Sequence, residues 1–196
     1  MSFDPLYAFV FAGLFSPGPN VILLTTSGAR FGFRRTLPHV LGVAAGVGIT
    51  SALTGYGIGA LLLAHPALTF ALKCLAAAWI LWMAWKLFRS TRGPQAQDQG
   101  RDRPFTFIEA VLFQWVNPKI WAIAMAASSG YAVGLSPIQE AVRLGTAFSG
   151  INLFVCLFWT FAGSLLAVLM TKHAWWRGFM SIMAFALAAS AVMVFL

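Results

Sequence analysis

Acidic side chains are what this sequence has least of. Five Asp and Glu, with thirteen Lys and Arg, bring charged residues to only 9% of 196 positions, where soluble domains carry about 25%. So few charges cannot cover a water-exposed surface, which excludes a soluble globule. The same composition excludes a disordered chain and a disulfide-stapled secreted scaffold. Cysteine is equally scarce: Cys74 and Cys156 lie far apart inside apolar runs and read as buried free thiols. The three histidines, His39, His65 and His173, fall at run boundaries. A hydrolytic nucleophile would therefore lack a base beside it. What is present is apolar: 60% of residues are hydrophobic and the mean hydropathy is +0.81. The chain reads as an integral membrane protein that is nearly all span.

A net charge of +8 would suggest nucleic acid in a soluble protein. Here the basic residues stand at the ends of apolar runs, where they meet lipid headgroups, so the expected partner is the bilayer and not nucleic acid. Met1-Ser2-Phe3-Asp4 lacks the basic flank of a signal peptide, so the first run is expected to stay as a span.

A helical span needs roughly 20 apolar residues. Six stretches qualify: Pro5 to Ala29, Leu37 to Ala64, Ala67 to Leu87, Phe105 to Gly130, Ile138 to Met170 and Gly178 to Leu196. The one soluble-looking stretch is Ser90 to Pro104. With the N-terminus outside, the inner loops hold Arg30, Arg34, Arg35, Lys86, Arg89, Arg92, Arg101, Arg103, Lys172 and Arg177, and the outer loops hold no Lys or Arg. The positive-inside rule then puts both termini outside. Lys73 and Arg143, a turn or two inside their runs near the outer face, are expected to snorkel outward. Trp79, Trp82, Trp85, Trp175 and Trp176 read as belt aromatics at the inner interface.

The two halves share a pattern. Ser16-Pro17-Gly18-Pro19-Asn20 interrupts the first run and Asn117-Pro118-Lys119 the fourth. Leu41-Gly42-x-x-x-Gly46 matches Leu144-Gly145-x-x-x-Ser149 at a similar offset of about a hundred residues. The expected fold is an all-α polytopic membrane protein: six transmembrane helices as a 3+3 inverted repeat, with helices 1 and 4 broken at their Pro-containing motifs. Residues 1–89 and 105–196 would be the two three-helix repeats, joined by a cytoplasmic linker at 90–104.

Proline inside a helix costs roughly 3 kcal/mol and removes a backbone donor. In lipid the freed carbonyls must find partners in protein. Two broken helices crossing near the midplane would present half-helix N-termini, whose bared N–H groups hold anions such as a carboxylate. Lys119 lies roughly 21 Å along its run at 1.5 Å per residue. Left alone there, its charge would cost about 2.5–3.5 kcal/mol or more. Two roles stand open for it: capping the carbonyls freed at the first break, and completing a carboxylate site. Asn20, Gln114 and Asn117 sit beside the breaks and could satisfy backbone groups or hold a substrate's amino group. Asn152 reads as a packing residue first and a cavity residue second. Glu109 reads as an interfacial carboxylate paired with Arg101 or Arg103, with proton carriage as the other reading. His39 reads as interfacial rather than as a proton relay. The glycines at 42, 46, 48, 55, 57 and 59 read as sites of close helix approach.

Pro17-Gly18-Pro19, with Gln114-Trp115-x-Asn117-Pro118-Lys119 in the fourth run, resembles the LysE/RhtB family of amino-acid exporters. Chain length, six spans and a basic middle loop agree with the likeness. The resemblance implies a bacterial cytoplasmic-membrane protein, not an enzyme, that expels a small amino acid or derivative using the proton gradient and needs no cofactor or metal. Its motif positions would be Pro17, Gly18, Pro19, Asn117, Pro118 and Lys119. Phe113-Gln114-Trp115 is similar to the branch that handles cysteine and O-acetylserine; homoserine-like, threonine-like and basic substrates stay open, as does a homodimer. A thiol–disulfide electron carrier would need a redox cysteine in each half near the breaks. An inverted-repeat cation exporter would need midplane oxygen ligands. A passive small-solute channel is the remaining alternative, and proton-dependent counterflow would separate it from a pump.

Overall fold

The structure is a computed structural model that describes residues 4–58, 64–89, 103–169 and 173–192. Among these the chain is helical, with no strand. The first apolar run is two helices, α1 (Pro5–Phe15) and α2 (Pro19–Phe31), and the second is α3 (Phe33–Tyr56). The third is α4 (Pro66–Arg89). The fourth is again a pair, α5 (Phe107–Trp115) and α6 (Pro118–Gly130), followed by α7 (Pro137–Leu169) and α8 (His173–Val192). Residues 90–102, with Arg92 and Arg101, and also Gly59, Lys172 and the last four residues, lie outside the described residues.

Phe33–Tyr56, Pro137–Val168 and Ala174–Val192 are each long and apolar enough to cross a bilayer, and α1 with α2 qualifies as one span bent by 58°. The starts and stops follow local chemistry. Asp4 caps α1, its carboxylate accepting from the Leu6 amide at 3.0 Å, with Pro5 at the first helical position. Thr106 and Glu109 form a capping box on α5. Gly57 ends α3 at φ 114°, a left-handed position that a side chain would strain.

The packing is built on α3 and α7, which cross most extensively. The first broken pair leans on α7, the second on α3, and α4 packs on α8. Small residues permit this. A Cβ at Gly42 or Gly46 would collide with α5 backbone at Phe107 or Val111, one at Gly48 would press on Ser149 of α7, and one at Gly55 on the Glu140 backbone. Gly57 instead serves the α3 terminus. The tightest crossing, unexpected from the sequence, is α2 on α7, where Gly28 faces the Thr160 carbonyl and Gly163 the Thr25 carbonyl. In lipid, such close backbone approach and not hydrophobicity holds helices together.

Several expectations are corrected. Cys156 is buried but Cys74 is exposed on α4, because an apolar run in a membrane can turn a thiol toward lipid as readily as toward protein. Trp176 is not a belt residue: it is 1% exposed, packed in the cluster that joins α4 to α8. Arg143 does not snorkel free. It pairs with Asp4 at 3.0 Å and Glu140 at 3.3 Å and donates to the Tyr131 carbonyl, tying together the ends of α1, α6 and α7. The Leu6 amide and the Arg143 guanidinium hold the Asp4 carboxyl below its ordinary value. Finally, His39, in the second turn of α3, is 2% exposed and lies with its ring centroid 5.0 Å from that of Phe105, so it is buried in protein rather than facing headgroups.

Candidate functional site

The two breaks meet. Pro17 and Pro19 cannot donate backbone bonds, so the chain between α1 and α2 runs extended through Ser16 and Gly18. This leaves the Ser16 and Pro17 carbonyls without helical partners. Lys119, in the first turn of α6, supplies one for each. Its Nζ donates to the Ser16 carbonyl at 2.6 Å, the Ser16 hydroxyl at 2.9 Å and the Pro17 carbonyl at 3.3 Å. A Cβ on Gly18 would lie 2.9 Å from both Cδ and Nζ of Lys119, so only glycine leaves the lysine its place. The capping role considered for Lys119 is therefore realised in this conformation.

The amides form a second bridge. Asn20 Nδ2 donates to Gln114 Oε1 at 2.8 Å, and Gln114 Nε2 returns a bond to Asn20 Oδ1 at 3.2 Å. Gln114 Nε2 also reaches the Ala110 carbonyl, and Asn117 Nδ2 donates to Gln114 Oε1. Gln114 and Asn117 are fully buried. Each of these side-chain amides is thus engaged, though Asn117 Oδ1 has no partner among the described residues.

Between the breaks lies a cavity of about 10 Å³, the space of one water molecule. Its polar rim is Asn20, Asn117 and Lys119 together with residues of α7. Neither half-helix that points at it has a side-chain cap: Gly18 and Asn117 occupy the N-cap positions of α2 and α6 without a capping bond. The α7 wall contributes Asn152, Val155, Cys156 and Trp159. Asn152 Nδ2 and Trp159 Nε1 have no hydrogen-bond partner among the described residues. Residues with two unused donors and one unused acceptor, a lysine and two helix N-termini without side-chain caps thus line one small space, with the Ile120 amide of α6 already given to the Asn117 carbonyl. Such a set holds a carboxylate by its donors and helix ends and an ammonium by its acceptor. Asn152 is a cavity residue here, and Cys156 and Trp159 were not foreseen.

Glu109 stands apart from this site. It receives both Arg103 guanidinium nitrogens at 2.6 and 2.7 Å and accepts from the Thr106 amide. With His39, it lines a different and larger cavity at the other end of α5.

The described residues thus form a helical bundle, with several helices long and apolar enough to cross a membrane, in which two helix breaks meet at a polar, cationic pocket. The sequence profile of the LysE type translocator family matches residues 11–196, and the chain belongs to that family. It is 28% identical over 181 residues to the cysteine/O-acetylserine efflux protein of Escherichia coli O1:K1 / APEC, covering 92% of this chain and 90% of that one. It is also 28% identical over 151 residues to the protein of the same name from Salmonella choleraesuis (strain SC-B67), covering 76% of each. No solved structure matches.

Proposed function

We propose that this chain is a six-span secondary transporter of the bacterial cytoplasmic membrane, exporting a small amino acid or derivative of the cysteine/O-acetylserine kind. The observation that carries the reading is the junction of the two breaks, where Lys119 and the uncapped N-termini of α2 and α6 face one polar pocket. The names of the two relatives support the substrate class.

The proposed mechanism is alternating access, with residues 1–89 moving against 105–196 as inverted repeats. The contact pattern supports this, because each broken pair leans on the long helix of the other half. A pocket of about 10 Å³ is too small for an amino acid, so this conformation is closed at its centre. To admit a carboxylate, Lys119 would exchange the Ser16 and Pro17 carbonyls for the substrate. One residue would thereby couple binding to relaxation of the first break. Orientation follows the basic residues, with Arg30, Lys86 and Arg103 at the cytoplasmic face and both termini outside.

Protons are the proposed coupling ion and Glu109 the proposed carrier. That role requires its pair with Arg103 to open, because the pair and the Thr106 amide favour the ionised carboxylate. Glu109→Gln is expected to abolish gradient-driven accumulation while exchange across the membrane persists. Unchanged pH-gradient dependence would remove Glu109 from this role. The test of the function itself is export from cells overexpressing the chain, with a panel of amino acids and derivatives assayed in the medium. Accumulation of cysteine or O-acetylserine above the vector control is expected, and no change for any member of the panel would overturn the proposal.

A further inference from the structure

One face of α7 lines the central pocket with Asn152, Val155, Cys156 and Trp159. Their spacing of three, four and seven residues places them in a single stripe, about 10 Å long at 1.5 Å per residue. Donors stand at its two ends. Asn152 is 2% exposed, and neither its Nδ2 nor Trp159 Nε1 has a hydrogen-bond partner among the described residues. Between them lie an apolar side chain and a buried thiol. The Trp159 ring packs against Phe15, the last residue of α1, with centroids 5.2 Å apart, and edge-on against Phe158 at 5.5 Å. It thus stands beside the first break.

The broken helices and this stripe offer different chemistry. Lys119 and the N-terminal ends of α2 and α6 bring positive charge for a carboxylate, and Asn117 Oδ1 is an acceptor open to an ammonium. An amino acid presents those two groups whatever its side chain. The α7 stripe adds neutral donors, and an indole N–H can only donate. Among the described residues that line the pocket there is no Asp or Glu. A buried donor left unmet is costly, so this surface favours a solute that brings an acceptor and discriminates against one that does not. A second ammonium would find no counter-charge there. Thiol sulfur is a weak acceptor, whereas a carbonyl oxygen offers two lone pairs.

We propose that the Asn152–Trp159 face of α7 is the side-chain recognition surface of the transport site. Its two donors turn to the carbonyl oxygen of an O-acylated amino acid, with Val155 and Cys156 against the acyl carbons. The inference rests on the export reading above and narrows it: an O-acetylserine-like solute is preferred to cysteine, and a basic amino acid is excluded. Entry of the solute widens the pocket from its present volume of about 10 Å³. Donors idle in the closed state then acquire a partner, so the right side chain favours the open conformation more than a wrong one does.

The experiment is O-acetyl-L-serine counterflow by the full chain in proteoliposomes, with O-ethyl-L-serine, which lacks the carbonyl, L-cysteine and L-lysine as competitors. For the parent protein, the inhibition constant of O-ethyl-L-serine should lie about tenfold above the KM for O-acetyl-L-serine, with L-cysteine also weaker and L-lysine without effect. Trp159→Phe keeps the ring packing and removes the N–H. It should raise KM for O-acetyl-L-serine about fivefold, as for losing one hydrogen bond at a binding step, while the inhibition constant of O-ethyl-L-serine moves by less than about twofold. Asn152→Leu should do the same. A merely structural role would shift both compounds together, and such a parallel shift, or an unchanged KM in both variants, overturns the recognition surface. A parent protein that moves L-cysteine but not O-acetyl-L-serine, or that binds O-ethyl-L-serine as tightly as O-acetyl-L-serine, overturns it without any variant and leaves the export reading standing. A parent protein that moves no amino acid overturns the export reading, and the recognition surface with it.

Discussion

The two helix breaks look alike in sequence and differ in how they are satisfied. The break between α5 and α6 is self-contained. The Val116 amide donates to the Phe113 carbonyl, the Asn117 amide to the Gln114 carbonyl, and Trp121 Nε1 to the Trp115 carbonyl at 3.0 Å. The break between α1 and α2 has little of this. Ser16 reaches back to the Ala12 and Gly13 carbonyls, but the Ser16 and Pro17 carbonyls depend on Lys119, about a hundred residues away. One interruption is a local turn; the other is completed only by the opposite half of the molecule. In the proposed mechanism the first break is therefore the part whose shape changes when Lys119 exchanges these carbonyls for a substrate carboxylate.

Each side of that comparison can be broken separately. Lys119→Met should cost most, about 3 kcal/mol, because it leaves two carbonyls in lipid without donors; thermal unfolding in detergent measures it. Gln114→Ala should cost about 2 kcal/mol by stranding the Asn20 and Asn117 amides together, read in the same melt. Gly18→Ala should cost about 1 kcal/mol, since the lysine tip can shift from the new methyl. It should nonetheless lower export markedly, because that shift moves Nζ off the first break. Trp121→Phe should cost under about 1 kcal/mol and leave export intact, as it removes one bond from a break that has several. If Trp121→Phe proved as damaging as Lys119→Met, the contrast between the breaks would be wrong.

Much of this was legible from the residues. Proline marks a break because it cannot donate, so Pro17, Pro19 and Pro118 announced both interruptions, and a lone deep lysine announced a partner at similar depth. The amides Asn20, Gln114 and Asn117 followed from their adjacency. Asn152, Cys156 and Trp159 were harder, because they sit on an unbroken helix that is apolar on most sides. In lipid the outward face is as hydrophobic as the inward one, and periodicity loses its meaning. The same physics hid the burial of Trp176 and His39 and the exposure of Cys74. The larger cavity at the other end of α5 is lined partly by α4, and which helix α4 packs against is something no local pattern records.

The most direct measurement is O-acetyl-L-serine counterflow in proteoliposomes carrying Lys119→Ala beside the parent protein, at equal reconstituted amounts and equal helicity. A junction of breaks that forms the transport site predicts counterflow by the parent and none by the variant. Parent-like counterflow from Lys119→Ala would contradict it.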